Sequence, residues 1–65
     1  MTDDQTAIFR AAVDLVQDPY FQAACEKLRQ AGLLQEDDEP YERAVVKKAV
    51  KMAVLILAET QKQVV

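Results

Sequence analysis

Apolar residues recur every three or four positions through most of this chain, which is the spacing of one face of an α-helix. The polar and proline-containing breaks between these stretches predict three helices, over residues 3–17, 19–31 and 40–63. No stretch shows the apolar–polar alternation that is typical of a strand. We therefore expect an all-α fold in a single domain, residues 1–65, with two short helices and one long C-terminal helix.

Local signals mark the ends of the first two helices. Thr2 and Gln5 have the spacing of a capping box. Asp18 and Pro19 end one helix and begin the next, because the residue before proline avoids the α region and aspartate is a favoured N-cap. Gly32 stands where a left-handed C-terminal cap is expected. The apolar positions predicted to face the core are Ile8, Phe9, Ala12, Leu15, Val16, Tyr20, Phe21, Ala24, Cys25, Leu28 and Ala31, together with Leu33 and Leu34 of the following loop.

The third helix carries two adjacent apolar stripes, which a helix in a bundle needs because it contacts two neighbours. One stripe is Val45, Ala49, Met52 and Ile56, and the other is Val46, Val50, Ala53 and Leu57. Val54 and Leu55 lie outside both. The helix is also too long for the two short helices to cover, at about 1.5 Å per residue. We therefore predict a helical homodimer, or a helical complex with a different chain, formed through Val46, Val50, Val54, Leu55 and Leu57.

The size of the chain supports association. A chain of 65 residues buries only about 60% of its unfolded surface and needs disulfides, a metal or a second chain for stability. It has one cysteine and no histidine, so an intrachain disulfide is impossible and a metal site has few ligands to draw on. Association is the option that remains.

Charge is distributed unevenly along the sequence. Residues 1–42 contain ten acidic and three basic residues, a net charge of −7, whereas residues 43–65 contain five basic and one acidic residue, a net charge of +4. Arg43, Lys47, Lys48 and Lys51 form a basic stripe that either binds an acidic partner or phosphates, or is a solvated face neutralised by the acidic loop of the same or a neighbouring chain. The acidic residues 36–39 are interpreted as a solvated loop that caps the third helix.

No catalytic, cofactor-binding or metal-binding residues are predicted. Cys25 lies on an apolar helix face, has no histidine to activate it, and is interpreted as a buried core residue. No glycine-rich loop is present, and the isoelectric point near 4.7 disfavours nucleic-acid binding. We therefore expect a protein that is not an enzyme.

The predicted function is a small protein–protein interaction module that self-associates through its C-terminal helix and binds an unidentified protein. It would act as an adaptor, assembly factor, regulator or inhibitor. Two alternatives remain open: a small DNA-associated transcriptional regulator, or an acidic decoy that occupies a basic nucleic-acid-binding surface of another protein. The N-terminal residues do not resemble a signal peptide, and the apolar run 52–58 is short of the roughly 20 residues of a membrane span. We expect a cytoplasmic protein without membrane contact.

Overall fold

The computed structural model describes residues 2–63 and is helical through most of that range. Its three helices are α1 (Asp3–Gln17), α2 (Pro19–Gln30) and α3 (Tyr41–Gln63). No strand occurs between residues 2 and 63. The predicted all-α class and the order of two short helices and one long helix are confirmed. The ends of α2 and α3 each differ by one residue from the predicted ranges.

The predicted helix caps form through local hydrogen bonds. The Gln5 N–H donates to the Thr2 hydroxyl at 3.1 Å, and the Thr2 N–H donates to the Gln5 side chain at 2.9 Å, which completes the capping box. After α2, Gly32 has a φ of 73°. The Leu33 N–H donates to the Leu28 carbonyl at 2.9 Å, which together with the left-handed glycine makes a Schellman ending.

The main packing contact joins α1 to α3, and α2 contacts α1 less extensively. Ala12, Ala49 and Ala53 are buried where α1 meets α3. Such small side chains allow two helix backbones to approach closely. Half-buried larger residues surround this centre: Ile8, Leu15, Val16 and Phe21. The core of the chain is therefore built around alanine, with its larger apolar residues at the margins.

α2 makes few contacts with α3. Cys25 is buried, and its thiol is close enough to Tyr41 and Lys48 to interact with them electrostatically. Ala44 is buried near the loop residues Leu33 and Leu34. The loop between α2 and α3 thus covers only the first turns of α3.

Several residues predicted to face the core are exposed instead. Leu33 is 74% exposed and Tyr20 is 86% exposed, whereas Leu34 is half-buried. Leu33 follows the left-handed turn at Gly32, and Tyr20 is in the first turn of α2. Four large members of the two α3 stripes are also exposed, as are three further residues predicted to face the core. They are Val46, Val50, Met52, Ile56, Phe9, Ala24 and Ala31.

Candidate interaction surfaces

An apolar groove runs between α1 and α3 on one side of the molecule. It has a volume of about 160 Å³, and no polar atom contributes to its accessible lining. Its residues are Phe9, Ala12, Val13, Val16, Val46, Ala49 and Val50, and we call it the α1/α3 groove. The groove is open to solvent, so its larger side chains are only partly covered by the chain itself.

The exposed side chains at the groove come from both helices. Phe9 of α1 is 60% exposed, and Val46 and Val50 of α3 are 51% and 40% exposed. Val54 follows one helical turn after Val50 and is 44% exposed. Leu57 is half-buried. Four of the five residues predicted to form the dimer interface therefore lie on or next to one continuous apolar strip: Val46, Val50, Val54 and Leu57.

Leu55, the fifth of these residues, lies on a different side of α3. It is nine residues from Val46, which at about 100° per residue places it half a turn away. Leu55 is exposed together with its neighbours on the helix surface, Met52 and Ile56. We call these three residues the second apolar patch. The structure thus separates the predicted interface residues into two surfaces.

The basic stripe is partly neutralised within the chain. The Lys47 ammonium group lies 2.7 Å from a carboxylate oxygen of Glu39 and 4.0 Å from one of Glu36. The hydrogen bond from Lys47 holds the pKa of the Glu39 carboxyl below its ordinary value, and the backbone N–H of Glu36 acts in the same direction. Glu39 in turn raises the pKa of Lys47. Lys47 thus has the geometry expected of a cation that is neutralised by the acidic loop.

The other three basic residues of the stripe, Arg43, Lys48 and Lys51, form no salt bridge within residues 2–63. Lys48 and Lys51 line a shallow pocket of about 250 Å³ between α3 and the acidic loop. This lysine pocket combines cations with aliphatic side chains, and its remaining residues are Leu33, Leu34, Glu36, Glu39, Ala44 and Lys47. Its charged residues are three lysines and two glutamates.

Cys25 is buried, and this burial raises the pKa of its thiol, although the charge of Lys48 acts in the opposite direction. A thiol with a raised pKa stays protonated at neutral pH and is a poor nucleophile. Residues 2–63 contain no group of histidine, cysteine and acidic side chains that could hold a metal ion.

Phe9 and Leu33 are two of the surface residues that the sequence did not identify. Both are apolar and lie at helical or capping positions, a pattern that predicts a place in the core. The sequence does contain an indication that Phe9 is exposed, because Ala12 is at the centre of the apolar face of α1 and Phe9 is at its edge. For Leu33 no such signal is available, since the direction of a loop side chain depends on the turn that precedes it.

Comparison of the chain with protein-family models, with curated proteins and with solved structures finds no match. Within residues 2–63, none of the helices has both the length and the apolar character required to cross a bilayer.

Proposed function

We propose that this protein is a non-enzymatic protein–protein interaction module that self-associates through its C-terminal helix, α3. One observation carries the proposal: within residues 2–63 every fully buried apolar residue is small, while several large apolar residues are exposed. Among residues 2–63, Cys25 is the largest fully buried side chain, whereas two branched aliphatic residues, Leu55 and Ile56, are each more than half exposed.

This distribution is the reverse of that in a self-sufficient domain. Large aliphatic and aromatic side chains contribute most to stability when buried, about 1.5–3 kcal/mol each. Contiguous apolar surface on a soluble protein marks a site of interaction. A second copy of the chain would supply the missing neighbours for α3 and complete a core that one copy only begins.

Sedimentation equilibrium tests the proposal. We expect the mass to rise with concentration from the 7.3 kDa of one chain towards twice that value. Val50→Lys should shift the equilibrium to the monomer, because the lysine would be buried at the interface without a partner. The matched control is Gln22→Lys, which places the same charge on an exposed position of α2. A wild-type chain that stays at the monomer mass at high micromolar concentration contradicts the proposal.

The lysine pocket favours an acidic protein segment as the heterologous partner of such a module. Lys48 and Lys51 offer uncompensated charge beside exposed Leu33, and attraction of this kind weakens as salt screens it. A fluorescent peptide rich in glutamate and leucine serves as the probe. Its binding should weaken on Lys48→Gln combined with Lys51→Gln, and should be unaffected by Lys27→Gln combined with Lys62→Gln.

Duplex DNA is the second probe in that experiment, because contacts between lysines and DNA phosphates also weaken as salt is added. The Lys47–Glu39 pair reduces the positive charge that the stripe can present to phosphates. We expect the acidic peptide to bind more tightly than the duplex at equal ionic strength. The opposite order would support the DNA-associated regulator instead.

A further inference from the structure

We infer that Glu39 is a built-in competitor for the lysine pocket, and that an acidic segment of a partner protein displaces it from Lys47 when it binds. The inference rests on the acidic partner proposed above and adds a mechanism that limits the affinity for that partner. The juxtaposition that carries it is a carboxylate of the loop between α2 and α3, seated in a pocket lined by three lysines of α3.

The lysine pocket already holds one carboxylate. An oxygen of Glu39 accepts a hydrogen bond from the Lys47 ammonium group at 2.7 Å, and its other oxygen accepts from the Glu36 N–H at 3.3 Å. The Glu39 side chain is only 9% exposed. A charged group enclosed to this extent needs an ionic partner and hydrogen bonds, and the pocket supplies both. The bound carboxylate therefore identifies the ligand chemistry that this surface accepts.

The pocket can pair more carboxylates than Glu39 supplies. Lys47, Lys48 and Lys51 share one side of α3, because residues three and four apart are neighbours on a helix surface. Lys48 and Lys51 form no salt bridge within residues 2–63, and they line an open volume of about 250 Å³. An incoming acidic segment therefore meets two cations that the described chain does not pair, beside the exposed side chain of Leu33.

Glu39 opposes such a segment in two ways. It occupies the Lys47 ammonium group, which is the third cation of the pocket, and its negative charge repels an incoming carboxylate. Glu36 is also 4.0 Å from Lys47, but its side chain is 83% exposed, so solvent screens its charge more effectively. The Lys47 side chain is 52% exposed. A carboxylate from solvent can therefore reach this lysine and exchange with Glu39 while α3 stays intact.

Two substitutions that remove the same charge test the competition. Glu39→Gln frees Lys47 and removes the repulsion inside the pocket. Asp37→Asn removes a carboxylate of the same loop that neither lines the pocket nor forms a salt bridge within the described residues. At low ionic strength, we expect Glu39→Gln to bind the fluorescent peptide rich in glutamate and leucine about fivefold more tightly than the wild type, which corresponds to about 1 kcal/mol. Asp37→Asn should change the affinity by less than about twofold.

A double variant separates the freed lysine from the lost negative charge. Lys47→Gln in the Glu39→Gln background removes the cation that the loss of Glu39 makes available to the peptide. We expect the affinity to return to that of the wild type. A gain that persists in the double variant would come from reduced repulsion alone, and it overturns the displacement from Lys47. Helical content by circular dichroism checks that each variant folds.

The outcomes distinguish the inference from the function on which it rests. Equal peptide affinities of Glu39→Gln and Asp37→Asn, with binding by the wild type, overturn the competition and leave the acidic partner intact. Failure of both the wild type and Glu39→Gln to bind the peptide at low ionic strength overturns the competition and the acidic partner together. Self-association is measured separately by sedimentation equilibrium, so neither result depends on it.

Discussion

Ala49 and Ala53 determine how closely α1 and α3 approach. Their exposed fractions are 0% and 1%, and Ala12 of α1 completes the contact. Because protein interiors are close-packed, a position filled by one methyl group leaves no room for a longer side chain without moving a helix. The alanines are therefore structural residues, although they contribute little apolar area individually.

Enlarging one of these alanines should separate the helices. Ala49→Leu is expected to destabilise the chain by about 1–3 kcal/mol through overpacking. Val50→Leu is the matched control, because it enlarges the next residue, which is 40% exposed, and should change stability by less than about 0.5 kcal/mol in the monomer. Urea unfolding of dilute protein measures both. Equal effects of the two substitutions would show that the helices do not meet at Ala49.

At the scale of elements, one residue connects α1 to α2. Asp18 ends α1, where its N–H donates to the Leu15 carbonyl at 3.0 Å. It also begins α2, where its carboxylate accepts hydrogen bonds from the N–H groups of Tyr20 and Phe21 at 2.8 and 3.0 Å. Pro19 follows at the first helical position, where its missing N–H has no cost. The corner between the helices is therefore defined by two consecutive residues.

Removing the Asp18 carboxylate should destabilise the chain. Asp18→Ala leaves the first N–H groups of α2 without their acceptor and is expected to cost about 1 kcal/mol. Asp18→Asn keeps an oxygen acceptor in the same place and should retain most of the stability. Thermal unfolding followed by circular dichroism compares the three proteins. An alanine variant as stable as the asparagine variant would contradict the capping role.

The acidic loop and α3 are joined by the pair of Lys47 and Glu39, which predicts a pH dependence. The pKa of Glu39 is lowered in the folded chain. Its contribution to stability is therefore present above the ordinary glutamate pKa and is lost as pH falls through the lowered value. The pKa of Lys47 is raised, so the corresponding contribution is lost as pH rises through that raised value.

Glu39→Gln should make stability less sensitive to acid. The wild type should lose more stability than this variant when the pH is lowered from neutral to below the ordinary range of glutamate. Asp37→Asn removes a neighbouring carboxylate that forms no salt bridge within the described residues, and it should retain the wild-type dependence. Urea unfolding across the pH range provides the comparison, and identical curves for Glu39→Gln and wild type would contradict the role of the pair.

The sequence predicted the helices well because their ends depend on neighbouring residues. Thr2 with Gln5, Asp18 with Pro19, and Gly32 each act within one turn of the chain, so their roles follow from spacing alone. The packing was less predictable. The spacing of apolar residues along α1 or α3 is the same whether the resulting helix face is covered by its own chain or by a partner. Only the structure shows that α3 buries Ala49 and Ala53 while Met52 and Ile56 stay exposed.

At the scale of the whole molecule, the chain is more extended than its length requires. Its radius of gyration is 13.1 Å, whereas a compact domain of this length would have about 10.7 Å. The cause is the unequal length of the two main helices. α3 has 23 residues and α1 has 15, so α3 is longer than α1 by about 12 Å.

Association should therefore appear as concentration-dependent stability. The Tm of the wild type is expected to rise with protein concentration, since a second copy binds only the folded chain. Phe9→Ala should remove most of that rise by weakening association at least tenfold, about 1.4 kcal/mol. Tyr20→Ala is the control, because it truncates an aromatic residue that is 86% exposed on α2. A similar loss in both variants would show that the groove is not involved.

The uncovered end of α3 also has a consequence for the kinetics of amide exchange. Residues 58–63 are exposed along the whole circumference of the helix, and their side-chain contacts are local, such as the Thr60 hydroxyl donating to the Ile56 carbonyl at 2.8 Å. Isolated helical turns are marginal in water. In a lone chain these amides should exchange with deuterium early, and in the assembled protein they should be protected. The terminal turns of α3 thus report whether a second copy is bound.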